Sequence, residues 1–134
     1  MKGKKQYRTK VSVVIPMYNC EQFVHDLLKM FSEQSFTDFE VICVIDGATD
    51  RTEEFVKEYC EKDRRFSYIY KQNSGAGASR NAGLDIARGS HVVFSDADDV
   101  YFENYLEKLY ETATEFDAQV VVSRYINSNY LNNN

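Results

Sequence analysis

Residues 92–100 read VVFSDADDV, an apolar run that ends on three carboxylates, Asp96, Asp98 and Asp99. Acids this close repel one another, and each raises the cost of ionising its neighbours. Asp96 and Asp98, two residues apart in a strand-end loop, can point the same way. A divalent cation would remove their repulsion and recruit phosphate oxygens. A donor set of oxygens alone suits Mg²⁺ or Mn²⁺, held by one or two carboxylates plus substrate phosphates. An Asp-x-Asp pair by itself is weak evidence for such a site. It gains weight from Asp46, which closes another apolar run, and from Tyr18, which follows a third. Each also has a plainer reading. Asp46-Gly47 is a turn dipeptide, Tyr18 is a packing aromatic, and Asp50 is a helix cap. Asp99 could bind free N–H groups near the next helix.

A second stretch, QNSGAGASRNAG at residues 72–83, begins with Gly75 and Gly77. It is not a dinucleotide fingerprint: Arg80 stands where the third glycine belongs, and the stretch follows the third strand rather than the first. Glycine still lets backbone approach a ligand closely. Arg80 near a helix start can offer a cation to a phosphate, the alternative being an ordinary surface arginine.

The elements that must position these residues alternate. Short β-branched runs predict strands at 11–16, 39–45, 66–70, 91–95 and 119–124. Helices are expected at 21–33, 50–61, 76–88 and 103–116. The first has Phe23, Leu27, Met30 and Phe31 on one face; the last has Leu106, Leu109, Ala113 and Phe116 inward. Asn19 with Gln22, and Asp50 with Glu53, have capping-box spacing, and Gly89 stands where a helix-ending glycine belongs. The pattern argues for an α/β fold, a Rossmann-like open and mainly parallel sheet with helices on both faces. Such sheets bind ligands beyond the carboxyl ends of their strands, where the strand order reverses. With order 3-2-1-4, the ends of strands one, two and four share one rim.

The 134 residues, 43% of them hydrophobic, are the size of one domain, expected at residues 11–125. A formal net charge of −5 argues against nucleic acid as a partner. Residues 1–10 are basic through Lys2, Lys4, Lys5, Arg8 and Lys10. They read as a solvated arm, with weak contact to an anionic membrane surface as the alternative. Residues 126–134 read as a polar tail. Cys20, Cys43 and Cys60 are odd in number and widely spaced, so neither a disulfide framework nor a zinc site is expected, and Cys43 reads as a buried hydrophobe. The first apolar run is too short for a secretory signal, and a reducing cytoplasm, with the inner face of its membrane, is the expected location.

Four ordered segments, VSVVIPMYNCEQFV, FEVICVIDGATDRT, NSGAGASRNAGLDIARG and VVFSDADDVYFENYL, resemble the N-terminal half of family 2 inverting glycosyltransferases of GT-A fold. The resemblance spans about residues 11–125. It implies a nucleotide-sugar donor, by family frequency a UDP-sugar, and Mn²⁺ or Mg²⁺ as cofactor. It further implies that Tyr18 stacks on the base beside the Pro16 backbone and that Asp46 recognises the base. Asn73, Gly75 and Arg80 would line the ribose and diphosphate. Asp98 would contact the metal, and Asp96 the ribose or the metal's water shell. Ile45 stands where the family often has a second acid. The family's general base lies downstream, which here means beyond Asn134, so the chain resembles the donor-binding half of a longer enzyme. The acceptor would be a glycan, a lipid-linked sugar or a protein. Rival readings are a module that binds nucleotide sugar without turnover, a ligand-free scaffold, and a haloacid-dehalogenase-type phosphatase. The last needs its Asp-x-Asp after the first strand, not the fourth.

Overall fold

The computed structural model of the chain describes residues 7–125. Four strands, β1 (Thr9–Met17), β2 (Phe39–Asp46), β3 (Phe66–Lys71) and β4 (Gly89–Phe94), alternate with four helices, α1 (Glu21–Ser32), α2 (Thr52–Lys62), α3 (Ala76–Ile86) and α4 (Tyr105–Glu115). All pairings are parallel, in the order β3-β2-β1-β4. Every residue of β2 is buried, as expected of a parallel strand covered on both faces.

Period-two alternation divides β1 between two layers. Val11, Val13, Ile15 and Met17 join Phe39, Val41, Cys43 and Ile45 of β2 in the larger core, closed by Val24, Leu27, Leu28 and Phe31 of α1, Val56 of α2 and Leu106 of α4. Val14, with Ile42 and Val44, faces the other way, onto Ala82 and Ala87 in and just after α3. Gly83 allows α3 to lie this close: a Cβ there would stand 2.3 Å from Val14 Cγ1.

Pro16 is in a central strand, where a missing N–H usually costs a ladder bond. Val14 bonds on its β4 side, accepting from Ser95 N at 3.0 Å. Pro16 lies two residues further along that side, past the point where β4 has ended at Phe94.

Several local expectations are corrected. The buried stripe of α1 is Val24, Leu27, Leu28 and Phe31, leaving Phe23 38% exposed. In α4, Leu106 and Ala113 are buried but Phe116 is exposed. Gly89 does not end α3; it opens β4, where a Cβ would stand 2.5 Å from Ser12 N. The fifth strand is absent among the described residues: 119–125 carry no strand, and Val120 and Val122 are 79% and 86% exposed. β-Branched residues favour a pleat only when a neighbouring strand supplies the ladder. β1 begins at Thr9, so the last residues of the basic arm are strand: Thr9 Oγ1 donates to Asp38 Oδ1, and Lys10 Nζ stands 5.4 Å from the Tyr110 ring centre. Lys2, Lys4, Lys5 and the tail lie outside the described residues. Among the described residues no helix is long and apolar enough to cross a membrane.

Candidate functional site

Because all four strands are parallel, their carboxyl ends share one rim. There β1 delivers Tyr18, β2 delivers Asp46, β3 leads into residues 72–75, and β4 leads into Asp96–Asp99. The strand order reverses at β1, with β2 on one side and β4 on the other.

Tyr18 follows the fully buried Met17 and is itself 56% exposed. The next residue, Asn19, takes a left-handed φ of 44°, which asparagine tolerates better than most residues. Its side chain accepts from Thr49 N at 2.8 Å, tying the β1 turn to the loop after β2 instead of forming a capping box. Asp50 is a helix cap, as expected, but a shared one. Its carboxylate accepts from Thr52 N at 2.9 Å in α2 and from Glu21 N at 3.2 Å in α1. Glu21 answers by accepting from Arg51 N at 2.9 Å, while Glu53 pairs with Lys57 instead of the cap. These bonds fix the base of the platform that presents Tyr18.

Asp46 is buried and fully engaged. Its Oδ1 accepts from Lys71 Nζ at 2.6 Å and Ser74 N at 2.9 Å, and its Oδ2 from Gly75 N at 3.0 Å. Burial alone would raise its pKa, but the Lys71 ammonium and the two amides outweigh that and hold it below the usual carboxylate value. Asp46 is therefore the anchor of residues 72–75. Gly47, at φ +66°, makes room for them: a Cβ there would stand 2.8 Å from both Cβ and N of Asn73. Gly75, at φ +95°, starts α3 in a conformation that favours glycine. Asn73 is exposed beside it. Lys71 and Ser74 were not among the sequence candidates. Lys71 is the register partner of Asp46, and no local pattern in the sequence reveals that register.

The first turn of α3 holds no acidic residue and no side-chain cap. Its free N–H groups and positive dipole end face the rim. From its second turn Arg80 donates to Asp96 Oδ1 at 3.1 Å, joining α3 to the loop after β4. Asp96, Asp98 and Asp99 are all exposed. Asp98 makes no hydrogen bond or ion pair among the described residues. Among the described residues the Asp99 carboxylate accepts only from the Tyr101 hydroxyl, at 3.3 Å. It does not serve the next helix: Gln34 Oε1 accepts from Leu106 N at 3.0 Å and Gln34 Nε2 donates to Phe102 O at 2.7 Å. Partial desolvation of the Asp99 carboxyl, then the charges of Asp96 and Asp98, raise its pKa. The charges of Asp96 and Asp98 thus still bear on Asp99, with Arg80 offsetting part of that of Asp96. Among the described residues no three acids, histidines or cysteines already converge as a cage. Such a set fits a hard cation that completes its shell with water and ligand oxygens.

An open parallel sheet in this order, with its acids and its glycine-rich turn on one rim, is that of the GT-A glycosyltransferases. The chain belongs to glycosyl transferase family 2, whose profile matches residues 12–134. It is 37% identical over 120 residues to Glycosyltransferase GlyA of Streptococcus pneumoniae serotype 4 (strain ATCC BAA-334 / TIGR4), covering 90% of this chain and 17% of GlyA. Among solved structures it is similar to S. aureus TarS in complex with UDP-GlcNAc, at TM-score 0.74 and 34% identity, over 79% of this chain and 31% of that one. It is also similar to the mannosyltransferase PcManGT from Pyrobaculum calidifontis in complex with GDP-Man and Mn²⁺, at TM-score 0.66 and 27% identity, over 72% and 30%. The chain spans less than a third of each of these three proteins.

Proposed function

We propose that the chain is the donor-binding part of an inverting glycosyltransferase that takes a sugar from a nucleoside diphosphate, a UDP-sugar, to an acceptor hydroxyl. One observation carries the reading. Tyr18, residues 72–80 and the acids after β4 come from different parts of the sequence and meet on one rim at the reversal of strand order. The nucleotide sugars held by TarS and PcManGT support it.

Tyr18 offers an exposed ring to stack on the base. The Pro16 backbone is assigned a place beside the base, and Asp46 holds residues 72–75. Asn73, Gly75 and Arg80 face the ribose and diphosphate, with the α3 N-terminus adding partial positive charge. Asp98, unpaired among the described residues, is assigned to Mn²⁺ or Mg²⁺, with Asp96 as its partner. When bound, the cation supplies charge neutralisation at the departing diphosphate. The Arg80–Asp96 pair is exposed and so contributes little to stability. Arg80 can exchange Asp96 for a phosphate at low cost.

No residue of this chain is assigned the general base that takes the acceptor's proton. The reading gives it to sequence beyond Asn134, in keeping with the small share of GlyA and TarS that the chain spans. Alone, the chain should therefore bind donor without transferring sugar. The test is a nucleotide panel titrated by calorimetry with Mn²⁺ present. UDP should bind saturably and more tightly than uridine. Equal binding of the two would contradict a diphosphate site at this rim.

A further inference from the structure

We propose that Lys71 is a positioning residue of the donor site: it sets the Asp46 carboxylate and residues 72–75 in the conformation that presents Asn73, Gly75 and Arg80. The inference rests on the donor-site reading above. Lys71 is the last residue of β3, 21% exposed at its side chain, and its ammonium has three donors. All three are spent on the clamp: on Asp46 Oδ1 at 2.6 Å, on the Gln72 carbonyl at 3.0 Å and on the Ser74 hydroxyl. Asp46 in turn holds the Ser74 and Gly75 amides. Lysine and aspartate thus grip residues 72–75 through both backbone and side chain, and the missing side chain of Gly47 leaves room for Asn73 beside them.

This stretch has no ladder of its own, since β3 ends at Lys71 and α3 begins at Ala76. Without Lys71, Asp46 keeps a buried negative charge with only two amide donors, and the Ser74 hydroxyl loses its cation. The turn would then sample other conformations, and the donor would have to order it on binding. A binding-competent state populated only in part weakens the apparent affinity by that fraction. Lys71 itself need not touch the ligand.

The test compares UDP binding, with Mn²⁺, by the wild-type chain and by Lys71→Met, Lys71→Arg and Ser74→Ala. Amide hydrogen exchange at Ser74 and Gly75 reads the clamp directly. Lys71→Met should weaken UDP by about five- to tenfold, the scale of one net hydrogen bond, and speed exchange at both amides. Lys71→Arg should recover part of the loss, because a cation and donors remain but in a planar geometry that does not match three bonds converging on one nitrogen. Ser74→Ala should fall between them, and it decides the matter if Lys71→Met does not fold. Unchanged affinity in Lys71→Met, or in Ser74→Ala where it stands in, would overturn the positioning role while leaving the donor site intact. Failure of the wild-type chain to bind UDP would instead overturn the donor-site reading, and the role of Lys71 with it.

Discussion

At the scale of single residues, the site separates groups that are occupied from groups that are available. Asp50 and Asp46 are occupied: one caps two helices and the other holds a turn. Among the described residues Asp98 has no partner, and Asp99 is relieved of helix capping by Gln34. Asp99 reads in the sequence as a partner of the next helix, and the structure gives that task to Gln34 instead. Asp46 stood out in the sequence as a carboxylate at a strand end, but its bonds to Lys71, Ser74 and Gly75 were not legible, because they depend on register and on a loop no local pattern describes. Tyr18 is exposed on a buried stem, which suits a stacking platform. Tyr18→Ala should weaken nucleotide binding by about 1–3 kcal/mol, the scale of base–aromatic stacking, with thermal stability little changed. A melting shift with unchanged affinity would place the ring in a packing role.

At the scale of elements, alternation of strand and helix was readable because parallel strands buried on both faces are continuous apolar runs. The order 3-2-1-4, posed from the sequence only as a condition, is the observed one. Propensity misled at 119–124, where VVV reads as strand yet pairs with nothing among the described residues. The helix-ending role of Gly89 failed for a related reason: its value lies in a contact with Ser12 from a distant part of the chain. Gly83 makes the same point in α3. Gly83→Val would drive two methyl groups into Val14 and Val44, an overpacking that typically costs about 1–3 kcal/mol. Pushed off the sheet, α3 would also carry Arg80 away from the rim. Denaturant melts and UDP titration should both register the change; a loss of stability alone would separate α3 docking from the site.

At the scale of the whole molecule, β2 carries a buried carboxylate at each end of the sheet. Asp46 holds the rim. Glu40 holds the opposite end, accepting from Ser12 Oγ at 2.7 Å, Arg88 N at 2.7 Å and the Arg88 guanidinium at 2.7 and 2.9 Å. Burial alone would raise the Glu40 pKa, but the Ser12 hydroxyl and Arg88 more than offset it, so it too is lowered. The folded values of both groups lie below their unfolded ones, near 4. Their stabilisation is therefore complete above about pH 4 and is lost as pH falls through the folded values. Acid unfolding should set in below about pH 4, and Glu40→Gln should flatten that limb while costing about 1–3 kcal/mol at pH 7. An acid limb identical in Glu40→Gln would show that other carboxylates govern it.

The central claim is that the acids after β4 and the rim around Tyr18 form one metal-assisted donor site. Its most direct measurement is calorimetric titration of UDP into the wild-type chain with Mn²⁺, into the same chain with EDTA, and into Asp98→Ala. Saturable binding with Mn²⁺, abolished by EDTA and by Asp98→Ala, is the expected result. Binding that survives both without change would contradict the assignment.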